Sequence, residues 1–549
     1  MLVYLVATFA TASYFMGDTV DYADSIAAQD TGRNYFFWEF GHLIWRPFGY
    51  LALLVFRPLL AYLVGADTRL QAVLVLMVLS WLCGLVSVLS LYWILARLCR
   101  KRWVVIITTV GFVFALSFLN YFHSGAPYVP GLSLILVSLC ILTSIKPDEP
   151  ISLRRSIVAA LALAAAVCTW FPYVVVTPAV VLSPGFLYGF DRQRFKVALQ
   201  TLFIAGLLTF VVYLGVVWHI GVRSTGEFKA WLQLTSGDAA ATPNKGITKS
   251  IFGFARAFVS MENEGLLFKR FLLHDPFNPV SFFDLVKLSL WKIAAFYLFL
   301  LATILSLLTF SKGRRVLALL AVAGIPALGF AVYWQGGDPE RYLALYPFIF
   351  LAVGVSLDEA RNPVLRYIIL LFLIGASVFN LAVLASPRLK RQQELSAARV
   401  SDLLPRLKPN SRMITANWQD DLINFNRTFP FNPVNQNQDV HIASVVTPGA
   451  SDVAQWRDGF LKGAELAWDA GGDVWISRRL LVSQPKAEWN WVEGDNPNVS
   501  WTDLYKLFSQ LEVGESVGGE DGFVLLLPSE QNKEILRESA QRVGPGGIR

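Results

Sequence analysis

Long apolar runs alternate with short polar and basic segments between Met1 and Leu384. Such runs predict membrane-spanning helices, because about 20 apolar residues, rising about 1.5 Å each, cross a hydrocarbon core of about 30 Å. The eleven runs are Met1–Gly17, Leu70–Leu98, Trp103–Tyr121, Val129–Ile145, Ile157–Trp170, Tyr173–Phe190, Val197–Ile220, Leu288–Phe310, Val316–Tyr333, Tyr342–Leu357 and Tyr367–Leu384. The first run is short and lacks the basic start of a signal peptide, so we interpret it as a retained span that an upstream extension would complete.

A twelfth apolar segment, Phe48–Val64, carries Arg57 and Pro58 at its middle. An arginine at the centre of a bilayer costs about 2.5 kcal/mol or more, and a proline inside a helix removes one backbone hydrogen bond. We therefore predict an interfacial or re-entrant helix here, not a span.

After Ser386 the pattern changes, and Pro, Asn, Gln, Asp and Trp replace the Leu/Val runs. Short β-branched and aromatic runs predict strands there, and apolar residues at helical spacing predict a helix. The predicted strands are Ser411–Trp418, Val440–Val446, Gly472–Leu481 and Gly522–Pro528, and the helix is Ser451–Asp469. We predict an α-helical polytopic membrane domain over 1–386 and a soluble α/β domain over 387–549.

Charge sets the predicted orientation. If Phe48–Val64 does not cross the membrane, every basic cluster lies on one side, which the positive-inside rule identifies as the cytoplasm. The clusters are Arg97–Arg102, Lys146–Arg155, Arg192–Lys196, Lys312–Arg315 and Arg361–Arg366. The opposite, external face then holds loops 18–69 and 221–287, the connection 333–342 and the C-terminal domain. We expect a multi-pass protein of a bacterial inner (plasma) membrane.

Composition agrees with a membrane protein, since 55% of the residues are hydrophobic and 16% are charged. The net charge of +7 resides in the short basic clusters, so we expect no nucleic-acid partner. The four cysteines lie in or beside apolar runs without metal-type spacing, and we interpret them as small buried hydrophobes.

An acidic stretch directly follows the first run. Asp18, Asp21, Tyr22 and Ser25 lie at i, i+3, i+4 and i+7, so on a helix they share one face, whereas Asp24 lies about 120° from Asp18. Two close carboxylates suit a divalent cation or a general base with a raised pKa. A solvated polar loop explains any single carboxylate here about as well.

Two further segments carry candidate binding residues. Glu39, His42 and Arg46 lie among aromatic residues just before the predicted interfacial helix, where arginine offers a bidentate fork to a lipid phosphate. His42 by itself is more often a partnered polar residue than a catalyst. Far along the chain, the segment GGDPERYLALYPF places Arg341 and Tyr342 at the outer end of the tenth run, where a helix-capping turn is the simpler explanation.

Together these motifs resemble the membrane-embedded C-type glycosyltransferases (GT-C), in particular the lipid A aminoarabinose transferases and protein O-mannosyltransferases. The resemblance rests on the first span followed by Asp18-x-x-x-Tyr22-Ala23-Asp24-x-Ile26, on Gly32, and on Arg46-Pro47 opening an interfacial helix. The late segment ERYLALYPF resembles the Arg-Tyr-Leu-x-x-x-x-Pro signature of these enzymes. Departures are Asp18-Thr19 in place of Asp-Glu, and Trp45-Arg46-Pro47-Phe48 in place of Lys-Pro-Pro or His-Pro-Pro.

The resemblance implies transfer of a sugar from a polyprenyl-phosphate donor to a lipid, glycan or protein acceptor at the external face, as a hexosyl- or pentosyl-type glycosyltransferase. Asp18 corresponds to the acidic residue that acts as base, or that holds a metal or the acceptor. Arg46 corresponds to the residue that contacts the carrier phosphate, and Arg341 would be a second phosphate ligand beside Tyr342. A divalent cation, Mg or Mn, is a candidate cofactor.

Two other functions compete with this interpretation. A transporter or flippase of lipid-linked sugars would place ionisable residues in mid-span and show inverted repeats, whereas the charges here collect outside nearly uncharged runs. A non-catalytic subunit of an envelope complex would use the C-terminal domain as its binding module. The collection of charges on one face favours an enzyme that works at the interface.

Overall fold

The structure is a computed structural model of the 549-residue chain. It describes residues 1–13, 18–28, 34–144, 152–236, 243–261, 264–388, 402–417, 441–446, 453–489, 491–495, 499–519 and 522–541. Asp30 and Gly32 of the acidic stretch lie outside these residues. The chain divides into two compact units, of which the first contains Met1–Met261 and Leu290–Ser386 and the second contains Glu262–Ser289 and Pro387–Arg549.

The first unit is built mainly from α-helices. They are α1 (Leu2–Ala10), α2 (Thr19–Ala27), α3 (Trp45–Val64), α4 (Thr68–Leu98), α5 (Arg102–Phe114), α6 (Leu116–Tyr121), α7 (Tyr128–Thr143), α8 (Leu153–Thr169), α9 (Thr177–Tyr188), α10 (Arg192–Ile220), α11 (Thr225–Ser236), α12 (Pro243–Phe258), α15 (Trp291–Leu308), α16 (Ser311–Tyr333), α17 (Tyr346–Glu359) and α18 (Pro363–Val383). Three 3-10 segments, Phe40–His42, Phe171–Val176 and Pro339–Leu345, precede helices of this unit.

Every predicted apolar run contains helix, and the described residues include eight helical segments long and apolar enough to cross a membrane. The helices α5 and α7 are shorter apolar helices. Two runs differ in detail from the prediction. The described part of the first run, residues 1–13, contains nine helical residues, and Trp103–Tyr121 breaks at Ala115, whose backbone is extended. The predicted polytopic helical architecture is confirmed.

The ambiguous segment forms α3, one continuous 20-residue helix with Pro58 inside it. Arg57 lies on the exposed side of α3, so its charge is not buried in the protein. By length and composition α3 is among the eight candidate spans. These two properties do not separate a span from an interfacial helix, so the interfacial placement and the orientation derived from it stay predictions.

Helices α2, α3 and α4 pack around one apolar cluster that includes Tyr22, Trp45 and Leu76. A side chain at Gly49 of α3 would meet Ile26 and Leu76 at 2.8 Å, so glycine allows the close approach of the three helices. Helix α4 begins at Asp67, whose carboxylate caps it by accepting from two backbone N–H groups. This packing holds α2 in a defined position.

The second unit is an α/β domain with a five-stranded sheet of order β2-β1-β3-β5-β4. Strand β1 pairs in parallel with β2 and β3, whereas β5 pairs antiparallel with β3 and β4. Its elements are α13 (Glu264–Leu272), α14 (Phe282–Leu285), β1 (Arg412–Asn417), β2 (His441–Val446), α19 (Val453–Asp469), β3 (Val474–Ser477), α20 (Trp501–Phe508), β4 (Val513–Val517), β5 (Phe523–Leu526) and α21 (Glu530–Gln541). The predicted helix and all four predicted strands are present, and β4 is an additional strand.

Part of the long predicted loop belongs to this second unit. Arg270, at the end of α13, forms a buried ion pair with Asp275 at 3.3 Å and donates to the carbonyl of Trp489 at 2.9 Å. Asn278 donates to the carbonyl of Pro485 at 3.1 Å. These contacts attach residues 264–289 to the α/β domain, although the sequence pattern grouped them with the membrane helices.

Candidate functional site

The predicted helix over the acidic stretch is α2, and Asp18 occupies its N-cap position. One turn later, Tyr22 is fully buried, and its hydroxyl donates to Asp18 Oδ2 at 3.4 Å. Burial raises the pKa of Tyr22 well above its ordinary value, with a further contribution from Asp18, so the phenol stays protonated. Asp18 is partly buried and is the carboxylate of the stretch that faces this buried side of α2.

A polar network continues from Tyr22 across the next segment. The Tyr22 hydroxyl lies 3.4 Å from His42 Nδ1, which in turn lies 3.3 Å from Glu39 Oε1. Glu39 Oε2 accepts from Arg46 Nη1 at 2.6 Å. The guanidinium of Arg46 lies 4.5 Å from the centre of the Tyr22 ring. Five side chains from α2, the 3-10 turn and α3 therefore link the proposed base, Asp18, to the proposed phosphate ligand, Arg46.

This network is buried, and its charges are compensated. Arg46 is 4% exposed and His42 is 7% exposed. Burial alone would raise the pKa of Glu39, but His42 and Arg46 lower it to about 2, so Glu39 is ionised at neutral pH. Arg46 Nε has no hydrogen-bond partner among the described residues. A buried guanidinium with an unused donor retains hydrogen-bonding capacity for another acceptor.

The structure separates Asp21 and Asp24 from Asp18. Both are exposed, and Asp24 pairs with Arg69 from the first turn of α4, with Nη2 and Oδ2 3.4 Å apart. The sequence pattern placed Asp21 on the same helix face as Asp18, but Asp21 is exposed whereas Asp18 is partly buried. Asp18 contacts the buried network through the Tyr22 hydroxyl.

The second predicted motif forms the 3-10 segment Pro339–Leu345. Glu340, 7% exposed, accepts from the Tyr121 hydroxyl at 3.0 Å. Arg341 Nη2 donates to Gln335 Oε1 at 3.0 Å, and Arg341 Nε lies 4.0 Å from Glu340 Oε1. The guanidinium of Arg341 lies 5.9 Å from the ring of Trp170. Arg341 is thus hydrogen-bonded to the Gln335 amide and lies farther from the Glu340 carboxylate.

Tyr342, predicted to bind substrate, lies in the packed interior. It is fully buried, and its hydroxyl contacts the backbone carbonyls of Gly336 at 2.6 Å and Ser250 at 3.0 Å. Its ring stacks on Phe254 at 5.0 Å. Since its hydroxyl is already engaged by the backbone, Tyr342 fixes the Arg341 segment to α12.

Helix α12 brings two cations to this segment that the sequence reasoning missed. A side chain at Gly253 would overlap the carbonyl oxygen of Gly336, so the backbones touch there. Burial raises the pKa of Asp338 above its usual range, and Lys249 and Arg256 of α12 both act to lower it. The helical spacing of apolar residues between Pro243 and Phe258 was the sequence signal that could have predicted α12.

The two distant motifs are within electrostatic range of each other at Asp18. Its carboxylate interacts electrostatically with Asp338 and with Arg341. The candidate site therefore combines the carboxylates Asp18 and Glu39 from the first loop with cations from α3, α12 and the Pro339–Leu345 segment. Such a mixture suits a reaction in which a proton is removed at one point and negative charge grows at another.

An apolar cavity of about 690 Å³ opens beside the network. Its lining comes from α8, α9, α10, α11 and the two nearby 3-10 segments, and includes Phe40, Leu163, Phe171, Phe210 and Phe228. Phe40 is the neighbour of Glu39 in the chain, and its carbonyl accepts from Tyr213 at 2.8 Å. The cavity lining therefore includes the residue that follows Glu39 in the chain. Its volume is typical of ligand sites.

The residues present do not form a ready metal site. Over the described ranges, no group of three or more His, Cys, Asp and Glu side chains could hold an ion. Asp18 is linked to His42 through the Tyr22 hydroxyl and not by a direct contact among the described residues.

The fold is similar to that of two solved structures of ArnT from Cupriavidus metallidurans. The apo state has a TM-score of 0.51 at 13% identity, covering 99% of this chain and 97% of that chain. The undecaprenyl phosphate-bound state has a TM-score of 0.50 at 12% identity, covering 96% of each chain. The archaeal oligosaccharyltransferase AglB from Archaeoglobus fulgidus aligns with a TM-score of 0.47 at 13% identity, over 97% of this chain and 76% of that chain.

No family model matches the chain, and no curated protein sequence matches it. The similarity to ArnT, a GT-C glycosyltransferase, extends over nearly the whole of both chains. The predicted resemblance to the C-type glycosyltransferases is therefore confirmed at the level of the fold: the chain has a GT-C-like membrane domain followed by an α/β domain.

Proposed function

We propose that this protein is a glycosyltransferase that moves a sugar from a polyprenyl-phosphate carrier to an acceptor at the external face of the membrane. The observation that carries the proposal is the buried network joining Asp18 to Arg46, with Arg341 in electrostatic range and an apolar cavity beginning at Phe40. The GT-C-like fold supports it, as does the undecaprenyl phosphate bound in a structure of ArnT.

In this proposal Asp18 is the general base. An acceptor hydroxyl forms a bond to the anomeric carbon of the sugar while the bond from that carbon to the phosphate oxygen breaks, and the hydroxyl proton passes to Asp18. Asp18 is suited to this because it is partly buried and its hydrogen-bonding partner, Tyr22, stays protonated. A positioned general base contributes about 10²- to 10⁴-fold to a rate.

The arginines stabilise the leaving phosphate. The carrier phosphate gains negative charge as the sugar departs, and cations fixed near it favour the transition state over the ground state. Arg46 offers its unused Nε, and Arg341 adds a second guanidinium, whose Nε lies 4.0 Å from Glu340 Oε1. Lys249 and Arg256 add positive potential from α12.

The apolar cavity is the proposed place for the carrier chain. A polyprenyl tail needs an apolar channel next to a cationic head-group site. This cavity has an aromatic and aliphatic lining, which includes Phe40, the residue after Glu39 in the chain. Burying apolar chain surface contributes about 25 cal/mol per Å², which rewards a long isoprenoid over a short one.

Other predicted site residues receive supporting roles. We propose that Asp24 fastens α2 to α4 through Arg69, that Asp21 faces the solvent, and that Tyr342 positions Arg341. The proposed external orientation rests on the positive-inside rule. The transfer assay identifies the acceptor and whether the sugar is a hexose or a pentose. A bound Mg or Mn ion would require ligands from the acceptor or from water.

The proposal is tested with purified protein in detergent and radiolabelled sugars on undecaprenyl phosphate, with and without EDTA. We expect transfer by the wild type, and losses of about 10²-fold or more in Asp18→Asn and Arg46→Ala. Glu359→Gln is the matched control, since Glu359 is the last residue of α17, at the end opposite the Pro339–Leu345 segment, and pairs with Lys312 of α16. Detergent removes the two membrane faces, so a flippase would yield no product.

A further inference from the structure

The proposed phosphate ligand Arg46 already has an anionic partner inside the protein. Glu39 contacts it at 2.6 Å, and both side chains are largely buried, with exposed fractions of 5% for Arg46 and 13% for Glu39. At neutral pH the pair carries no net charge, because the pKa of Glu39 is about 2. A phosphate approaching Arg46 therefore meets a guanidinium whose attraction is opposed by a fixed carboxylate.

Part of the hydrogen-bonding capacity of the buried Arg46 is unused. Glu39 uses Nη1, the Tyr22 ring covers one face of the guanidinium, and Nε has no hydrogen-bond partner among the residues described. The carboxylate is itself anchored on its other oxygen by His42 at 3.3 Å. Glu39 can thus remain in place while an additional acceptor binds the unused donor.

We propose that Glu39 is a positioning residue that also tunes the charge of the phosphate site: it orients Arg46, and its fixed negative charge weakens retention of the carrier after the sugar has left. This inference rests on the proposed function. The donor is a phosphodiester with one negative charge, whereas the released carrier is a phosphomonoester with about 1.5 to 2 negative charges at pH 7. The fixed negative charge of Glu39 therefore repels the released carrier more strongly than the donor.

A purely structural role makes a different prediction. If Glu39 serves only to neutralise a buried arginine, its removal destabilises the protein and loosens every ligand in the site. If the charge of Glu39 repels the phosphate, replacing Glu39 by the neutral, isosteric glutamine increases the affinity for anionic ligands. The increase is larger for a ligand with more negative charge. The sign of the change in affinity separates the two roles.

The experiment measures binding of three probes to purified full-length protein in detergent: undecaprenyl phosphate, its monomethyl ester and undecaprenol. In Glu39→Gln we expect the dissociation constant to fall about tenfold for undecaprenyl phosphate and about threefold for the ester, because Coulomb energy scales with ligand charge. Undecaprenol carries no charge, so Glu39→Gln and the wild type should bind it with the same dissociation constant. Glu39→Asp keeps the negative charge, so it should bind undecaprenyl phosphate as weakly as the wild type.

The same proteins supply the controls. Glu359→Gln removes a carboxylate of a Lys–Glu pair at 2.8 Å elsewhere in the first unit and should change none of the three affinities. Unchanged or weaker binding of undecaprenyl phosphate to folded Glu39→Gln would overturn the inference while leaving the proposed function intact. Failure of the wild type to bind undecaprenyl phosphate at all would instead contradict the proposed function.

Discussion

Arg46 and Arg341 have the same proposed task but different surroundings. Arg46 is held by Glu39 at 2.6 Å, whereas Arg341 lies 4.0 Å from Glu340 and donates to an amide oxygen of Gln335. The carboxylate beside Arg46 is at hydrogen-bonding distance, whereas the Glu340 carboxylate lies farther from Arg341. We propose a division of labour, in which Arg341 attracts the phosphate and Arg46 responds to the charge that develops on it.

The largest effect should distinguish the two glutamates. Glu39→Ala leaves Arg46 buried without its partner, which costs about 3–5 kcal/mol of unfolding free energy. Glu340→Ala removes an acceptor from Tyr121, but Arg341 keeps Gln335, so we expect a loss of about 1–3 kcal/mol. Denaturant unfolding in detergent measures both, and equal losses would contradict the difference between the two arginine sites.

The next effect concerns catalysis. Arg46→Ala and Arg341→Ala should each lower kcat/KM for sugar transfer about 10²- to 10³-fold, because each removes a donor aimed at growing charge. Arg57→Ala, at an exposed arginine of the same helix α3, is the control and should transfer at the wild-type rate. A loss confined to one of the two arginines would mean that the other does not contact the phosphate.

A smaller effect depends on pH. Because the folded-state pKa of Glu39, about 2, lies below its unfolded value of about 4.3, its contribution to stability is complete above pH 4.3 and is lost as the pH falls through 2. Between pH 5 and pH 3 the wild type should therefore lose about 1–2 kcal/mol more unfolding free energy than Glu39→Gln. Parallel pH profiles for the two proteins would show that His42 and Arg46 do not hold Glu39 ionised.

The smallest effect is expected at Tyr22. Tyr22→Phe keeps the ring under Arg46 but removes the hydroxyl between Asp18 and His42. Loss of one hydrogen-bonding group changes a barrier by about 0.5–1.5 kcal/mol, so kcat should fall about three- to tenfold with little change in donor KM. Steady-state kinetics measure this, and a change in KM alone would assign the hydroxyl to donor binding.

Much of the fold was predictable because apolar runs dictate membrane helices. Strand β4 was missed because four of its five residues are exposed and it lacks an alternating apolar pattern. The proximity of Asp18 and Tyr22 follows from their i, i+4 spacing, and the structure confirms the helix.

The remaining parts of the site depend on contacts between residues far apart in sequence. Tyr121 and Glu340 are 219 positions apart, and α12 reaches the Arg341 segment only because Gly253 and Gly336 permit backbone contact. The Asp24–Arg69 pair, 45 positions apart, likewise withdraws a predicted catalytic carboxylate from the site. Local patterns contain no information on such pairings.

The most direct test of the central claim is acceptor-dependent release of undecaprenyl phosphate from its sugar-linked form by purified wild-type protein and Asp18→Asn. We predict release by the wild type and a rate about 10²- to 10⁴-fold lower in Asp18→Asn, with donor binding retained. Release by Asp18→Asn at the wild-type rate would contradict the assignment of Asp18 as the base.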